Sequence, residues 1–263
     1  MIEKDDGVKS TPPVSSLAKA LNVLECFTSS EPELGISEIS AMLGLPKSSV
    51  HNILNTFALK GYVEQDKTTR RYRLGLAFLQ RAAIVREGLG LRKVALPFMH
   101  KAKELYNETV HLAIEQDGLV MYLETVQPAD RSVARIAVGK RAHMHCTGVG
   151  KAILAFFPDE KVKAIIEEHG LVRYTDRTIT TFEELDKELK QIRLQGFAVD
   201  NMEHELGIRC IAVPLRDEYG KVTASISVSG PAERMPLDTI HSHAEPLKML
   251  GLDISRRLGW QGY

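Results

Sequence analysis

Between residues 47 and 55, side chains that can form hydrogen bonds are spaced so that they would lie on one face of a helix. None of them is apolar, and each can hydrogen-bond to DNA base edges or to phosphates. The members of this polar flank are Lys47, Ser48, Ser49, His51, Asn52 and Asn55. The pattern indicates a helix whose outward face could enter the major groove of DNA.

Positive charge is concentrated around the polar flank, although the chain is neutral as a whole. The 263 residues include 34 basic and 34 acidic side chains. Between residues 46 and 93, ten basic residues stand against three acidic ones. Such a run is usually a solvated helix face, but beside a DNA-reading helix it favours phosphate binding. We expect Arg70 and Arg71, at a cationic hairpin tip, to reach phosphates or the minor groove.

Apolar spacing predicts the elements that position these side chains. Helices are predicted over residues 15–28, 37–43 and 47–59, and hairpin strands over residues 61–65 and 71–74. Ser37 is expected to cap the second helix, and Gly44 and Pro46 make the turn before the third. The apolar face of the third helix is Val50, Ile53, Leu54, Phe57 and Ala58. This order of elements predicts a winged helix-turn-helix DNA-binding domain over residues 14–75.

Beyond residue 75 the pattern changes to a linker and then to mixed helices and strands. Residues 76–93 keep helical spacing until Gly88 and Gly90, which predicts a linker helix. Strands are predicted over residues 109–116, 118–125, 131–138, 210–215 and 222–228, and helices over residues 98–107, 148–157, 158–168, 182–195 and 237–258. We therefore expect residues 94–263 to form an α+β domain in which helices pack on a largely antiparallel sheet.

Length and composition restrict the class of protein. The chain is long enough for two domains. No window has the roughly 18 consecutive apolar residues of a membrane helix, so we expect a soluble protein with no membrane partner. Residues 1–13 combine acids, a glycine and two prolines, which predicts a flexible tail and no leader peptide. Cys26, Cys146 and Cys210 form no Cys-x-x-Cys pair, which argues against a disulfide framework and favours the reducing cytoplasm.

Another group of residues could support metal chemistry. Its members are His143, His145, Cys146, His204 and Cys210. A catalytic zinc site needs three converging ligands and an open fourth position, and neither a His-Glu-x-x-His nor a Cys-x-x-Cys spacing occurs. The sequence also lacks a Gly-x-Ser-x-Gly elbow and a phosphate-binding loop. We therefore expect no enzyme, no cofactor and no metal, and we keep a metal-dependent enzyme or a zinc-binding sensor as the alternative.

Several segments, taken in order, resemble the IclR-type bacterial transcriptional regulators over nearly the whole chain. In the first domain these segments are ALNVL at residues 20–24, GLPKSSV at 44–50, GYV at 61–63 and YRLG at 72–75. In the second domain they are HCTGVGKA at 145–152, GFAVD at 196–200 with Glu203 and His204, GIRCIA at 207–212 and ISVSGP at 226–231. No segment is diagnostic alone, and the resemblance rests on their order and spacing.

The resemblance implies an N-terminal DNA-binding domain, a linker helix over residues 76–93 that pairs subunits, and a GAF-like α+β effector domain. It implies a homodimer or a dimer of dimers that binds double-stranded operator DNA and a small organic acid, a carboxylate that could be a sugar acid or an aromatic acid. The effector-binding residues carried over from the family are Gly148, Val149, Asp200, Cys210, Ser227 and Ser229. The sequence departs from the commonest family pattern at Cys146, Asn201 and Met202, which leaves the identity of the acid open.

The carried-over residues have suitable chemistry. Gly148 begins a predicted helix whose free amides and positive dipole end suit a carboxylate. Ser227 and Ser229 stand two apart on a predicted strand, so both hydroxyls face the same side of the sheet. Without the resemblance, buried serines satisfied by backbone and an Asp200 in a solvated loop would be the ordinary interpretation.

These observations predict a ligand-responsive transcriptional regulator. The resemblance to the family favours a repressor over an activator. Two symmetry-related winged heads predict a palindromic operator. The effector and the target genes are not predicted.

Overall fold

The computed structural model describes residues 13–129 and 136–262, which fold into two compact units that divide between Gly88 and Leu89. The tail predicted over residues 1–13 lies almost entirely outside the described residues, and so does most of the strand predicted over residues 131–138. The described part of that segment, residues 136–138, is not in a strand. Among the described helices, none combines the length and the apolar character needed to cross a bilayer.

The described part of the first unit consists of helices and a small antiparallel sheet. Its elements are α1 (Ser15–Glu25), β1 (Glu33–Leu34), α2 (Ile36–Leu43), α3 (Lys47–Leu59), β2 (Val63–Gln65), β3 (Tyr72–Leu74) and α4 (Ala77–Gly88). The strand order is β1-β3-β2. This architecture confirms the predicted winged helix-turn-helix. The sequence does not reveal β1, because two residues are too few to show alternation.

The turn between α2 and α3 uses the predicted glycine, but the cap of α2 is not the predicted one. Gly44 ends α2 with a φ of +64°, a left-handed conformation that glycine adopts without a steric cost. The prediction that Ser37 caps α2 is wrong, because the helix begins one residue earlier and follows Gly35. Glycine has no side chain for capping, so the Glu38 carboxylate accepts the hydrogen bond from the Gly35 amide at 2.7 Å.

A single apolar cluster fixes the orientation of α3. The cluster includes the fully buried side chains of Val23, Ile39, Val50, Leu54 and Tyr72. Burying each side chain of this size contributes about 1.5–3 kcal/mol, so rotation of α3 about its axis would be strongly unfavourable. Of the other residues predicted for the apolar face, Ile53 and Phe57 are half-buried, whereas Ala58 is exposed. The polar flank consequently lies on the side of α3 away from the cluster.

The second unit is built on a six-stranded sheet of order β6-β5-β4-β9-β8-β7, in which every neighbouring pair is antiparallel. Its strands are β4 (Thr109–Gln116), β5 (Leu119–Val126), β6 (Arg141–His143), β7 (Ala198–Asn201), β8 (Ile208–Arg216) and β9 (Val222–Pro231). Its helices are α5 (Gly90–Tyr106), α6 (Gly148–Leu154), α7 (Asp159–His169), α8 (Phe182–Gln195) and α9 (Ile240–Arg257). The predicted α+β domain with a largely antiparallel sheet is confirmed.

Alternation along the strands gives the sheet two different apolar faces. Val110 and Val228 belong to the cluster that α5 and α9 cover, whereas Tyr122 and Cys210 belong to the cluster that α6, α7 and α8 cover. The predicted hairpin between β4 and β5 is present, with positive φ angles at Asp117 and Gly118. The short edge strands β6 and β7 escape prediction from sequence, because three or four residues give too little alternation.

Candidate functional site

The polar flank of α3 is presented much as the sequence predicts. Lys47, Ser48, His51 and Asn52 are exposed, and Ser49 is half-buried. The Asn55 side-chain amide nitrogen lies 3.3 Å from the His51 Nε2 atom, so these two neighbours on the helix can hydrogen-bond each other. The first two turns of α3 therefore expose four hydrogen-bonding side chains of the kinds that read base edges.

The hairpin tip is organised by Asp66. Its Oδ1 atom accepts hydrogen bonds from the backbone amides of Thr68 at 2.9 Å and Thr69 at 2.7 Å. These hydrogen bonds, led by the one from the Thr69 amide, hold the pKa of Asp66 below its ordinary value. The turn then places Arg70 at a φ of +62° with its side chain exposed. The geometry leaves the Arg70 guanidinium at the surface of the tip.

Arg71 is held differently from Arg70. Its guanidinium lies 2.8 Å from the Glu38 carboxylate and donates to the Glu33 carbonyl at 2.9 Å. The ion pair ties the hairpin to the start of α2. His51, Arg70 and Arg71 nevertheless line one open groove of the first unit. The structure thus brings the hairpin arginines together with one member of the polar flank, His51.

The second unit contains a cavity lined by all six residues predicted for the effector site. These are Gly148, Val149, Asp200, Cys210, Ser227 and Ser229. This cavity, which we name the effector cavity after the predicted site, has a volume of about 40 Å³. A single water needs about 10–15 Å³. The cavity therefore has room for a ligand of a few non-hydrogen atoms.

Strand register explains how residues distant in sequence converge on the cavity. Asp200 on β7 pairs with Cys210 on β8, which pairs with Ser229 on β9, which pairs with Thr109 on β4. The next row on the same side of the sheet contains Ser227 and, opposite it, His111 of β4. The cavity wall is thus a band of polar side chains that crosses four strands. The two residues of β4 are not among those predicted from the sequence.

The start of α6 forms the opposite wall. Thr147 precedes the helix, and its hydroxyl oxygen accepts a hydrogen bond from the Gly150 amide at 3.2 Å. A Cβ atom on Gly148 would lie 2.9 Å from the Cys210 Sγ atom, which is too close for ordinary contact. Glycine at this position therefore keeps space open between α6 and β8.

Burial changes the protonation of the cavity's carboxyl group. Burial and, secondarily, repulsion by Glu203 raise the pKa of Asp200 to about 7. The Asp200 Oδ1 atom accepts a hydrogen bond from the Glu203 amide at 2.8 Å. Near neutral pH, Asp200 can consequently be a neutral acid that donates a hydrogen bond or an anion that accepts one.

A buried ion-pair network begins one helical turn beyond Gly148. The Lys151 ammonium is fully buried and lies 2.6 Å from the Glu203 carboxylate and 3.0 Å from the Glu188 carboxylate. Glu203 is also buried, so it does not belong to a solvated loop. A lysine within the otherwise apolar segment GVGKAIL is the sequence signal that could have revealed this network, because a buried lysine needs anionic partners.

The cavity also includes buried groups that are uncharged at neutral pH. Burial lowers the pKa of His111 to about 4 and raises the pKa of Cys210 to about 12. The hydroxyl of Thr109 has no hydrogen-bond partner within the part of the chain that the structure describes. Alternation in β4 would place Thr109 and His111 on one face, but the sequence does not show that β4 adjoins β9.

The alternative metal cluster does not assemble into a coordination site. The His145 Nε2 atom lies 3.1 Å from the Val172 carbonyl oxygen, and the His143 Nδ1 atom lies 2.7 Å from the Tyr174 hydroxyl. The Cys146 sulfur lies 3.8 Å from the His204 Nδ1 atom, which is a hydrogen-bond separation and not a metal-ligand set. Over residues 13–129 and 136–262, no three His, Cys, Asp or Glu side chains are arranged to hold a metal ion.

Family models match both parts of the chain. The bacterial transcriptional regulator IclR C-terminal model matches residues 83–256, and the IclR helix-turn-helix domain model matches residues 16–67. The chain is 31% identical to the HTH-type transcriptional regulator XynR of Escherichia coli over 95% of this chain and 99% of that protein. It is 31% identical to the HTH-type transcriptional repressor AllR of Escherichia coli over 94% of this chain and 92% of that protein.

Solved structures agree with this assignment. The Thermotoga maritima IclR crystal structure matches with a TM-score of 0.75 and 30% identity, covering 94% of this chain and 99% of that one. An IclR homologue from Microbacterium hydrocarbonoxydans, crystallised with 4-hydroxybenzoate, matches with a TM-score of 0.80 and 26% identity, covering 92% of this chain and 98% of that one. The chain therefore belongs to the IclR family of bacterial transcriptional regulators, with a helix-turn-helix domain followed by a C-terminal effector domain.

Proposed function

We propose that the protein is a repressor that binds a palindromic operator through α3 and the hairpin and responds to a small organic acid bound in the effector cavity. The observation that carries this proposal is the pairing, in one chain, of an exposed polar flank on α3 with a buried polar cavity in the second unit. The relative that is named a repressor supports repression over activation. The homologue crystallised with 4-hydroxybenzoate supports an organic acid as the ligand.

The residues proposed for DNA are Lys47, Ser48, Ser49, His51, Asn52, Arg70 and Arg71. In this assignment, the polar side chains of α3 read base edges, while the hairpin arginines contribute phosphate contacts that do not depend on sequence. We propose a homodimer or a dimer of dimers, since two symmetry-related heads would read the two halves of a palindrome.

In the effector cavity, the proposed ligand contacts are Gly148, Val149, Asp200, Cys210, Ser227 and Ser229. Backbone amides in the first turn of α6 lack partners within the helix and can donate to a carboxylate. The serine hydroxyls and a protonated Asp200 can donate as well. An acid that binds the DNA-competent form more weakly than the incompetent form would release the operator, and the operator would weaken acid binding by the same factor.

Selection from a random duplex library with the purified full chain tests the DNA part of the proposal. We expect enrichment of inverted repeats, and recovery of no preferred sequence would contradict it. A thermal-shift screen of simple carboxylates, sugar acids and aromatic acids then tests the ligand part. A cognate acid at 100 times its Kd should stabilise the folded chain by about 2.7 kcal/mol. It should also weaken binding to the selected duplex, and an acid that stabilises the protein without changing DNA affinity would refute the regulatory link.

A further inference from the structure

We infer that Thr109 and His111, at the β4 end of the polar sheet wall of the effector cavity, bind a hydroxyl group of the ligand. The inference rests on the proposed function and narrows it, because it makes the effector a small hydroxy acid. It also adds two specificity-determining residues to the six proposed ligand contacts.

Thr109 provides the first observation. Its side chain lines the effector cavity and is 1% exposed, and its residue pairs directly with Ser229 across β4 and β9. Within the described residues, its hydroxyl oxygen is shielded from solvent and has no hydrogen-bond partner. Buried hydroxyls are normally satisfied, and a ligand hydroxyl that reaches the Thr109 oxygen would satisfy this one.

His111 provides the second observation, through the direction of its hydrogen bonds. Its Nδ1 atom lies 3.1 Å from the Thr125 hydroxyl oxygen, and that hydroxyl donates its single hydrogen to the Ile136 carbonyl at 3.4 Å. This arrangement assigns the Nδ1–H tautomer to His111, whose Nδ1–H group then donates to the Thr125 oxygen. The Nε2 atom of the neutral ring is then an acceptor. The His111 and Tyr122 rings pack edge to face, with their centroids 5.4 Å apart.

Together the two side chains select for a hydroxyl group. A ligand hydroxyl can accept the hydrogen of the Thr109 hydroxyl and donate its own hydrogen to the His111 Nε2 atom. A carboxylate has no hydrogen to donate, and a methyl group satisfies neither partner. The small volume of the cavity, about 40 Å³, favours small acids, in which the hydroxyl and the carboxylate are close together.

Titration calorimetry with matched pairs of acids tests the inference on the full chain. The probes are glycolate against acetate, lactate against propionate, and 3-hydroxybutyrate against butyrate. We expect the wild-type protein to bind at least one hydroxy acid about tenfold or more tightly than its matched analogue, since an unpaired polar group in the site penalises the analogue.

Variants separate hydroxyl recognition from general packing. Thr109→Val preserves the shape of the side chain and removes its hydroxyl, so we expect the preference for the hydroxy acid to disappear while affinity for the analogue is unchanged. His111→Asn, which keeps a donor toward Thr125 and lacks the Nε2 acceptor, should do the same. Thr109→Ser should retain the preference. Ser225→Ala is the matched control, because it removes a buried hydroxyl that donates to the Val213 carbonyl at 2.9 Å.

The outcomes distinguish this inference from the function on which it rests. If the wild-type protein binds a simple acid as tightly as its hydroxy partner, or if Thr109→Val keeps the preference, hydroxyl recognition by β4 is refuted while an acid-responsive regulator stands. If none of the six acids nor any acid of the wider thermal-shift screen binds, the acid effector itself is refuted together with this inference. The wild-type comparison is decisive even if a variant fails to fold.

Discussion

The Lys151 ammonium nitrogen lies 2.6 Å from the Glu203 Oε1 atom, and both residues are buried. Burial by itself would lower the pKa of Lys151, but Glu203 and Glu188 outweigh burial and raise that pKa. The Glu203 carboxylate also accepts a hydrogen bond from the Asn201 amide at 3.2 Å, immediately after Asp200. The ion pair therefore connects α6 to the segment that carries the cavity's carboxyl group.

Removing the Lys151 charge should destabilise the fold. Lys151→Met leaves the buried carboxylate of Glu203 without its cation, so we expect a loss of about 3–5 kcal/mol in the free energy of unfolding. Urea denaturation measures the loss. Glu188→Gln is the control, because the Glu188 side chain is 31% exposed and its loss should cost less. Equal stability of Lys151→Met and the wild-type protein would contradict this role of the ion pair.

The raised pKa of Asp200 predicts an unusual pH dependence of stability. Because that pKa is about 7 in the folded chain and about 4 in an unfolded one, the folded state binds more protons between these values. The free energy of unfolding should therefore fall as the pH rises from 4 to 7, by up to about 1.4 kcal/mol per pH unit from this group. Asp200→Asn should lack that contribution, so its profile should be flatter than that of the wild-type protein in urea titrations. Parallel profiles would rule out the protonation assigned to Asp200.

The two hairpin arginines should differ in what they contribute. Arg70→Ala removes an exposed charge from each subunit, so we expect weaker binding to every duplex. The slope of log K against log salt should fall by about 0.9 for each subunit bound, or about 1.8 for a dimer on a palindrome. Arg71→Ala also breaks the contacts to Glu38 and Glu33, so it should lower thermal stability as well. Salt titrations by fluorescence anisotropy and melting curves separate the two effects. An Arg70→Ala variant with the full salt slope would exclude Arg70 from the DNA interface.

Substitution within the polar flank should change sequence preference instead. Asn52 is exposed in the second turn of α3, where a side chain could reach base edges. We expect Asn52→Ala to lose about 1–3 kcal/mol of discrimination at one operator position and to retain its affinity for unrelated duplexes. Competition binding with singly substituted operators measures this. A uniform loss across all duplexes would instead make Asn52 a phosphate contact.

Filling the space at Gly148 should block the effector cavity and leave DNA binding intact. The added Cβ atom of Gly148→Ala would lie 2.9 Å from the Cys210 sulfur, so it would occupy space between α6 and β8, and one of these two elements must shift. We expect the affinity for the cognate acid to fall at least about tenfold, which corresponds to 1.4 kcal/mol. Ser229→Ala should also reduce the response, through loss of a hydroxyl and without a clash. If the acid released the operator from both variants as readily as from the wild-type protein, the result would argue against the proposed cavity.

The local elements of this protein are largely determined by short-range patterns. The spacing of Val50 and Leu54 orients α3 and therefore its polar flank, and the glycine at residue 44 sets the turn that precedes it. Ser37 shows the limit of this reasoning, because α2 begins at Ile36 and the residue before it is Gly35, whose amide donates to the Glu38 carboxylate. The residue at which a helix begins depends on such hydrogen bonds around its first turn. A pattern in a single sequence does not show which of them form.

Only some residues of the effector cavity could be predicted from the sequence. Family motifs in the sequence identify Gly148, Asp200 and Ser229, but neither Thr109 nor His111. The antiparallel register of β4 against β9 decides that these two residues face the same space, and no local pattern specifies which strands become neighbours. The sequence by itself therefore determined most helices, the polar face of α3 and the family, but it did not show that α5 begins at Gly90. Only the tertiary structure decided which distant side chains share the cavity. The reason is that strand pairing brings together residues far apart in the chain, and their sequence separation does not show which strands pair.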